Sequence, residues 1–336
     1  MNKVSRYFVI WLMAGLTLSF SSCGEEDDVD PLGNWVERSD FEGLPRGDAV
    51  SFVINGRAFV ATGFDGYDRL SDLWEYDYEF DYWIQRADFP GAARNGAVGF
   101  SINGKGYLGT GYDGENRLND FWEYDPVEDS WKQLADFKGS ARYGAIGFSL
   151  DGKGYIGTGT DGNDLKDLWI YDPETNIWTQ GVSVGGSKRV DAFAFVIDGK
   201  AYVGGGRNNG VYEDDFWEYD PATTFWTEKT GLSNTDDDDE IEDYLITRSN
   251  ATSFEMNGKG YISLGFRGSN LNSIWEYDPG LDAWEEKADF EGSARRGAVV
   301  LAYGYQTFIL TGTSGGTAAF DDVWQFFPDV ENNEDD

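Results

Sequence analysis

Six segments of this chain read Asp/Ser-x-Trp-x-Tyr/Phe, centred on Trp74, Trp122, Trp169, Trp217, Trp275 and Trp324. Five of these tryptophans are followed nine residues later by a second one, at Trp83, Trp131, Trp178, Trp226 and Trp284. Trp324 has no such follower, while Trp35 precedes the first repeat with no partner of its own. The offset predicts a ring of repeats, closed by pairing an N-terminal strand with the C-terminal repeat. The intervals between successive leading tryptophans are 47 to 49 residues, apart from one of 58 between Trp217 and Trp275. Twelve of the 13 tryptophans belong to this pattern, so repeat packing accounts for most of the aromatic content before any ligand is invoked.

Each unit reads as four strands. In the second unit an apolar run at 97–102 leads to Asn103-Gly104, the dipeptide best suited to a tight hairpin because both turn positions need positive φ. Asn55-Gly56, Asn257-Gly258, Asp151-Gly152 and Asp198-Gly199 are its equivalents. A second strand at 105–109 follows. The third, Phe121-Trp122-Glu123-Tyr124, alternates so that Trp and Tyr share a face. Asp-Pro ends it in most units, because proline cannot continue a ladder. The period suits propeller blades of about 40–50 residues with four strands each.

These units resemble kelch repeats. Tyr202-Val203-Gly204-Gly205-Gly206 matches the family's second strand, while Thr62-Gly63, Thr110-Gly111, Thr158-Gly159 and Thr311-Gly312 place threonine at its first glycine, and Leu264-Gly265 departs furthest. The resemblance implies an all-β, six-bladed propeller over residues 34–328, its last blade closed by the strand around Trp35. Loss of residues 30–44 is expected to destabilise the whole ring.

Around this domain the sequence supplies an N-terminal segment and a short acidic tail at 329–336. Residues 1–22 have a basic start and a short apolar core, the pattern of an export signal too short to span a membrane. Ser21-Ser22-Cys23 resembles a lipoprotein lipobox, with Phe20 where that motif usually has Leu. It implies cleavage before Cys23 and lipidation of that residue; a secreted protein with a free Cys23 is the rival reading. The acidic linker at 23–33 resembles the tether of some surface lipoproteins of Bacteroidetes. Together these features point to an outer-membrane lipoprotein on the cell surface, or alternatively on the periplasmic face, contacting the membrane only through its lipid.

Cys23 is the only cysteine, so a mature domain has no internal disulfide. Loss of Lys3 and Arg6 with the leader leaves 24 basic against 61 acidic residues, a net charge of −37. Such a surface repels nucleic acid. The chain has no histidine, which excludes Ser-His-Asp and Cys-His catalysis and His-ligated metals. Kelch repeats occur in galactose oxidase, but its copper site needs two histidines and a tyrosine–cysteine crosslink, which this chain cannot assemble. No cofactor is expected.

Each unit carries an arginine just before its first strand: Arg46, Arg94, Arg142, Arg189, Arg248 and Arg295. Two readings stand side by side. Six guanidiniums converging on the ring axis would form a cationic funnel for acidic sugars or acidic side chains. Alternatively they pair with Asp72, Asp120, Asp167, Asp215 and Asp322, and with Ser273 in unit five, as structural links from blade to blade. Phe64, Tyr112 and Phe266, next to short loops carrying Asp65-Gly66, Asp113-Gly114 and Arg267-Gly268, are candidates for stacking on sugar rings or for plain turn packing. The insertion after Trp226 contains Asp236, Asp237, Asp238 and Asp239, a weak Ca²⁺ candidate whose spacing departs from an EF-hand loop and suits a solvated acidic loop better.

The leading expectation is a monomeric, non-catalytic propeller that binds a glycan or a protein partner, or docks within a larger outer-membrane complex. The alternative is a metal-independent sugar epimerase or mutarotase. Bacterial N-acetylneuraminate epimerases are similar in being exported six-bladed kelch propellers; that resemblance implies an arginine for the sugar carboxylate and a Glu or Tyr for proton transfer, and assigns no catalytic residue here.

Overall fold

The computed structural model describes residues 31–234 and 244–333. Among the described residues there is no helix, and six four-stranded antiparallel sheets carry the fold. The first blade runs Val50–Ile54, Arg57–Ala61, Leu73–Asp77 and Tyr82–Arg86, from axis to rim. The next four blades repeat this order, beginning at Val98, Ile146, Phe193 and Thr252. The sixth takes three strands from the C-terminal repeat, Val299–Tyr303, Gln306–Leu310 and Val323–Phe327, and its outermost strand, Asn34–Arg38, from the N-terminus.

In that closing pair Trp35 sits opposite Phe326, as Trp83 sits opposite Tyr76 in the first blade. Trp35 is fully buried and packs its ring 4.5 Å from Phe326 and 4.9 Å from Phe290. It is therefore the sixth of the second tryptophans, supplied from the other end of the chain. The same position shows why the residue type repeats. Trp131, Trp178, Trp226 and Trp284 donate their indole N–H to backbone carbonyls of the preceding blade, at Ala87, Ala135, Val182 and Thr230. The tyrosine beside the tryptophan adds a second latch in four of the blades, at Tyr76, Tyr124, Tyr171 and Tyr277. The Tyr124 hydroxyl donates to Asp129 at 2.7 Å, and the same carboxylate accepts the Ala87 N–H of the preceding blade at 2.9 Å.

The hydrophobic core lies between blades. Val50, Phe52 and Ile54 of the first blade cluster with Leu108 and Tyr124 of the second, and equivalent clusters recur around the ring. The hairpin turns behave as their sequences predict: Asn103 and Gly104 adopt φ of 49° and 78°. Along the axis the inner strands present small side chains, beginning with alanine in every blade at positions 49, 97, 145, 192, 251 and 298. This leaves a narrow polar channel rather than a filled centre.

Because ring closure buries Trp35 completely, Trp35→Ala is expected to cost about 3–5 kcal/mol. A single cooperative transition at lower temperature, followed by circular dichroism, is the expected result; separate melting of the sixth blade would contradict it.

Candidate functional site

The six predicted arginines occupy equivalent sockets, and none faces the channel as a free cation. All six are essentially unexposed. Arg94 shows the pattern. Its two terminal nitrogens grip Asp120 at 2.6 and 2.7 Å, one of them also donates to the Thr110 carbonyl at 2.9 Å, and Nε donates to the Ala92 carbonyl at 2.9 Å. The Phe89 ring lies 4.8 Å from the guanidinium carbon. Asp120 also accepts the indole N–H of Trp122 at 2.8 Å. Burial alone would raise the Asp120 pKa, but the hydrogen bonds and charge of Arg94 override it and hold it below the usual carboxylate value.

A Phe-x-Gly-x-x-Arg motif frames four of these sockets, at Phe41, Phe89, Phe137 and Phe290. Its glycine is required by space: a Cβ on Gly91 would lie 2.5 Å from the Phe89 ring and 3.0 Å from the guanidinium. That recurring hexapeptide is the signal in the sequence for buried arginines. The residue that accepts from the arginine also has a constrained backbone. Thr62, Thr110, Thr158, Gly205, Leu264 and Thr311 all adopt φ of 58–61°, the conformation in which their carbonyls meet the guanidiniums.

The pairing differs from the expected blade-to-blade link. Each Arg–Asp clamp lies within one blade, tying the start of the first strand to the end of the second and the start of the third. The inter-blade link is made by the arginine's own carbonyl, which accepts the N–H of Gly63, Gly111, Gly159, Gly206, Gly265 or Gly312 from the preceding blade. Unit five is the exception in chemistry. Arg248 has Ser273 in place of Asp and donates to the carbonyls of Ile246, Leu264 and Ser273 and to the Ser273 hydroxyl. Burial without a carboxylate pushes its pKa down to about 10.

The residues that follow each arginine build the mouth of the channel. Two positions on stand Asp48, Gly96, Gly144, Asp191, Asn250 and Gly297, all with φ between 52° and 62°. Asp, Asn and Gly are the residue types that tolerate this conformation best. Their backbones form a closed circle of six hydrogen bonds, each N–H donating to the equivalent carbonyl of the preceding blade at 2.8–3.0 Å. Above this circle lies a cavity of about 400 Å³. Asp48, Asn95, Tyr143, Asp191, Arg207 and Arg296 line it, together with the polar residues Ser249 and Asn250.

Other arginines stand at the mouth, where two carboxylates accompany them. Arg207 pairs with Asp191 at 2.9 Å and stays 43% exposed. Arg296 lies over the Phe266 ring at 4.7 Å. Arg69 donates to Asn95 Oδ1 at 2.9 Å and lies over Phe64 and Tyr112. Arg117 lies 5.8 Å from the Tyr143 ring. Among the described residues, Arg69, Arg117 and Arg296 form no ion pair. The three aromatics proposed for stacking thus lie at the mouth, with guanidiniums already over them. The Asp-Gly loops beside them are turns in which Asp65 and Asp113 accept backbone N–H groups two and three residues ahead.

The two mouth carboxylates differ. Asp191 is held by Arg207, although burial still raises its pKa. Asp48 has only a 3.5 Å contact from Asn95 Nδ2. Burial first, and the charge of Asp191 second, push its pKa up to about 6, against the weaker opposing pull of Asn95 and Arg296. Among the described residues no cluster of His, Cys, Asp or Glu is arranged to hold a metal. Cys23 and Asp236, Asp237, Asp238 and Asp239 lie outside the described residues.

Two predictions follow from these contacts. Arg94→Ala leaves the half-buried Asp120 beside Trp122 without its cation and is expected to cost about 3 kcal/mol. Arg248→Ala leaves only neutral acceptors and should cost less, about 1–3 kcal/mol, while Ser273→Asp should raise the melting midpoint by restoring the clamp. Equal losses for Arg94→Ala and Arg248→Ala in denaturant titrations would contradict this. The second concerns pH. The folded pKa of Asp48, about 6, lies above the unfolded 3.8, so ionisation destabilises the fold increasingly from pH 3.8 to 6 and fully above that. Asp48→Asn places the residue of blade five at this position, and should stabilise by about 1–3 kcal/mol at pH 7.5. The gain should fade as pH drops through 6 toward 4, which thermal unfolding at several pH values would read directly.

The Kelch motif model matches residues 45–90, 111–138, 154–185 and 188–233. No curated protein matches the sequence. A solved structure entitled "Structure of YjhT" superposes with a TM-score of 0.71 at 17% identity, over 85% of this chain and 95% of the other. At that identity the likeness is one of fold. The repeated motifs, the six sheets and the N-terminal closing strand are those of a six-bladed β-propeller that carries kelch motifs.

Proposed function

We propose that the propeller is a non-catalytic binding module of an exported lipoprotein, anchored through Cys23 at the outer membrane and facing the cell surface, and that its charged mouth takes a glycan. The observation that carries this reading is the axial cavity of about 400 Å³, lined by two arginines, two aspartates, two asparagines, a serine and a tyrosine on a rigid scaffold. That mixture of donors and acceptors on fixed backbone suits a ligand rich in hydroxyls with an anionic substituent. A polar loop of a protein partner is the competing occupant. The mouth's cations stand inside a strongly acidic chain, so they would draw an anionic group to one place on an otherwise repelling surface.

A second reading has one observation in its favour. Asp48 is a carboxyl without an ion pair in the cavity, with a pKa moved toward neutrality. Such a group is suited to exchanging a proton with a bound sugar, as a metal-independent epimerase or mutarotase requires.

A thermal-shift screen against neutral sugars, N-acetylneuraminate and other acidic sugars separates these possibilities. A ligand that binds only the folded form raises the midpoint. An acidic sugar is expected to do so, with the shift lost in Arg207→Ala and Arg296→Ala variants that remain folded. Ligand turnover abolished by Asp48→Asn would establish the enzymatic reading instead. No shift with any sugar would turn the search to a protein partner.

A further inference from the structure

The residue directly after each buried arginine lies at the mouth: Gly47, Asn95, Tyr143, Val190, Ser249 and Arg296 in blade order. Five of these carry side chains, and the first blade has none. Where that side chain is missing, a second cavity of about 200 Å³ opens between the first and last blades. Gly47, Phe64, Arg296, Thr313, Gly315 and Ala319 line it. Its outer wall is a close contact between two loops: a Cβ on Gly66 would lie 2.6 Å from the Thr317 Cα. The small residues of the Thr313–Gly315 and Ala318–Ala319 hairpin keep the far side open. Asp48 and Arg296 line both this slot and the axial cavity, so the two spaces are continuous at those residues.

We infer that the slot is a second sugar subsite, so that the mouth takes the end of an oligosaccharide, with one ring in the axial cavity, the next in the slot, and Asp48 and Arg296 at the junction between them. This rests on the glycan reading of the mouth. The slot pairs an aromatic ring, which suits the apolar face of a pyranose, with a carboxylate and a guanidinium that suit its hydroxyls and any acidic substituent. Its position sets the direction of the chain, outward between the first and sixth blades. The slot itself follows from a single position, because a side chain at 47 would fill it.

Gly47 is a suitable place to test this because its backbone is not in the left-handed region, and a Cβ there would lie 3.1 and 3.3 Å from Cγ2 and Cβ of Thr313 and 3.6 Å from its backbone nitrogen, which a shift of Thr313 by a few tenths of an ångström accommodates. Other blades carry Asn, Val and Ser at the equivalent position. The experiment is calorimetric titration of the purified protein and of Gly47→Asn and Gly47→Val with matched pairs: glucose and cellobiose, galacturonic acid and its dimer, N-acetylglucosamine and chitobiose. In at least one pair the disaccharide is expected to bind tenfold or more tightly than its monosaccharide. Both variants should abolish that advantage while leaving the monosaccharide affinity and the melting midpoint close to those of the parent. Equal affinity within every pair, or a disaccharide advantage that survives both substitutions, would overturn the subsite and leave the glycan reading intact. Failure of all six sugars to bind would overturn both together.

Discussion

The buried arginine at the head of each inner strand is the interaction on which the rest of this structure depends. Its guanidinium draws together three segments of one blade, and its carbonyl receives the neighbouring blade. A buried charge is costly unless it is saturated, and here the carboxylate, the carbonyls and an aromatic face achieve that together. Because the arginine socket recurs in all six blades of a closed ring, with a carboxylate in five of them, each blade's register is set both from within and from its neighbour. A chain without disulfides in its folded domain gains its rigidity in this way, with Trp35 completing the circuit.

The clamp also explains how a symmetric scaffold produces an asymmetric site. It holds the next two residues of every blade in one geometry, with the second locked in a left-handed turn by the circle of backbone hydrogen bonds. At those positions the fold fixes the backbone shape and, at the second, restricts the residue to Asp, Asn or Gly, but it imposes no one side chain on all six blades, so they differ. Asp48 and Asp191, on the first and fourth blades, bring negative charge to opposite sides of the axis. Arg207 and Arg296 bring positive charge from the fourth and sixth. Gly47 leaves space. Functional chemistry is thus laid over the repeat at the few places where the repeat imposes backbone shape but not side-chain identity.

Much of this was legible in the residues. The tryptophan spacing and its offset predicted six blades and the closing strand, because tryptophan beside tyrosine is needed between adjacent blades in every repeat. The Arg–Asp coincidence was equally visible, as was the lone Ser273. The assignment of chemistry to those arginines was harder. Regular recurrence signals a shared structural duty, and a guanidinium at the head of an inner strand can point toward the axis or back into its own blade. The Phe-x-Gly-x-x-Arg spacing indicates the second, since the glycine gives the guanidinium room to fold back. The arginines that do face the mouth recur irregularly, which is what a site adapted to one asymmetric ligand requires.

The sequence by itself therefore determined the architecture: the period, the pairing within each blade and the identity of the closing strand are all consequences of local alternation and of repeated packing residues. Only the tertiary structure decided where the charges act. Whether Arg94 or Arg69 meets solvent depends on the acceptors that surround each one from distant parts of the chain, Asp120 and Thr110 for the first, Asn95 and Tyr112 for the second. The pKa of Asp48 is likewise raised first by its burial and second by the charge of Asp191, three blades away. Both depend on desolvation and distance across the closed ring, and those quantities exist only once the ring has closed.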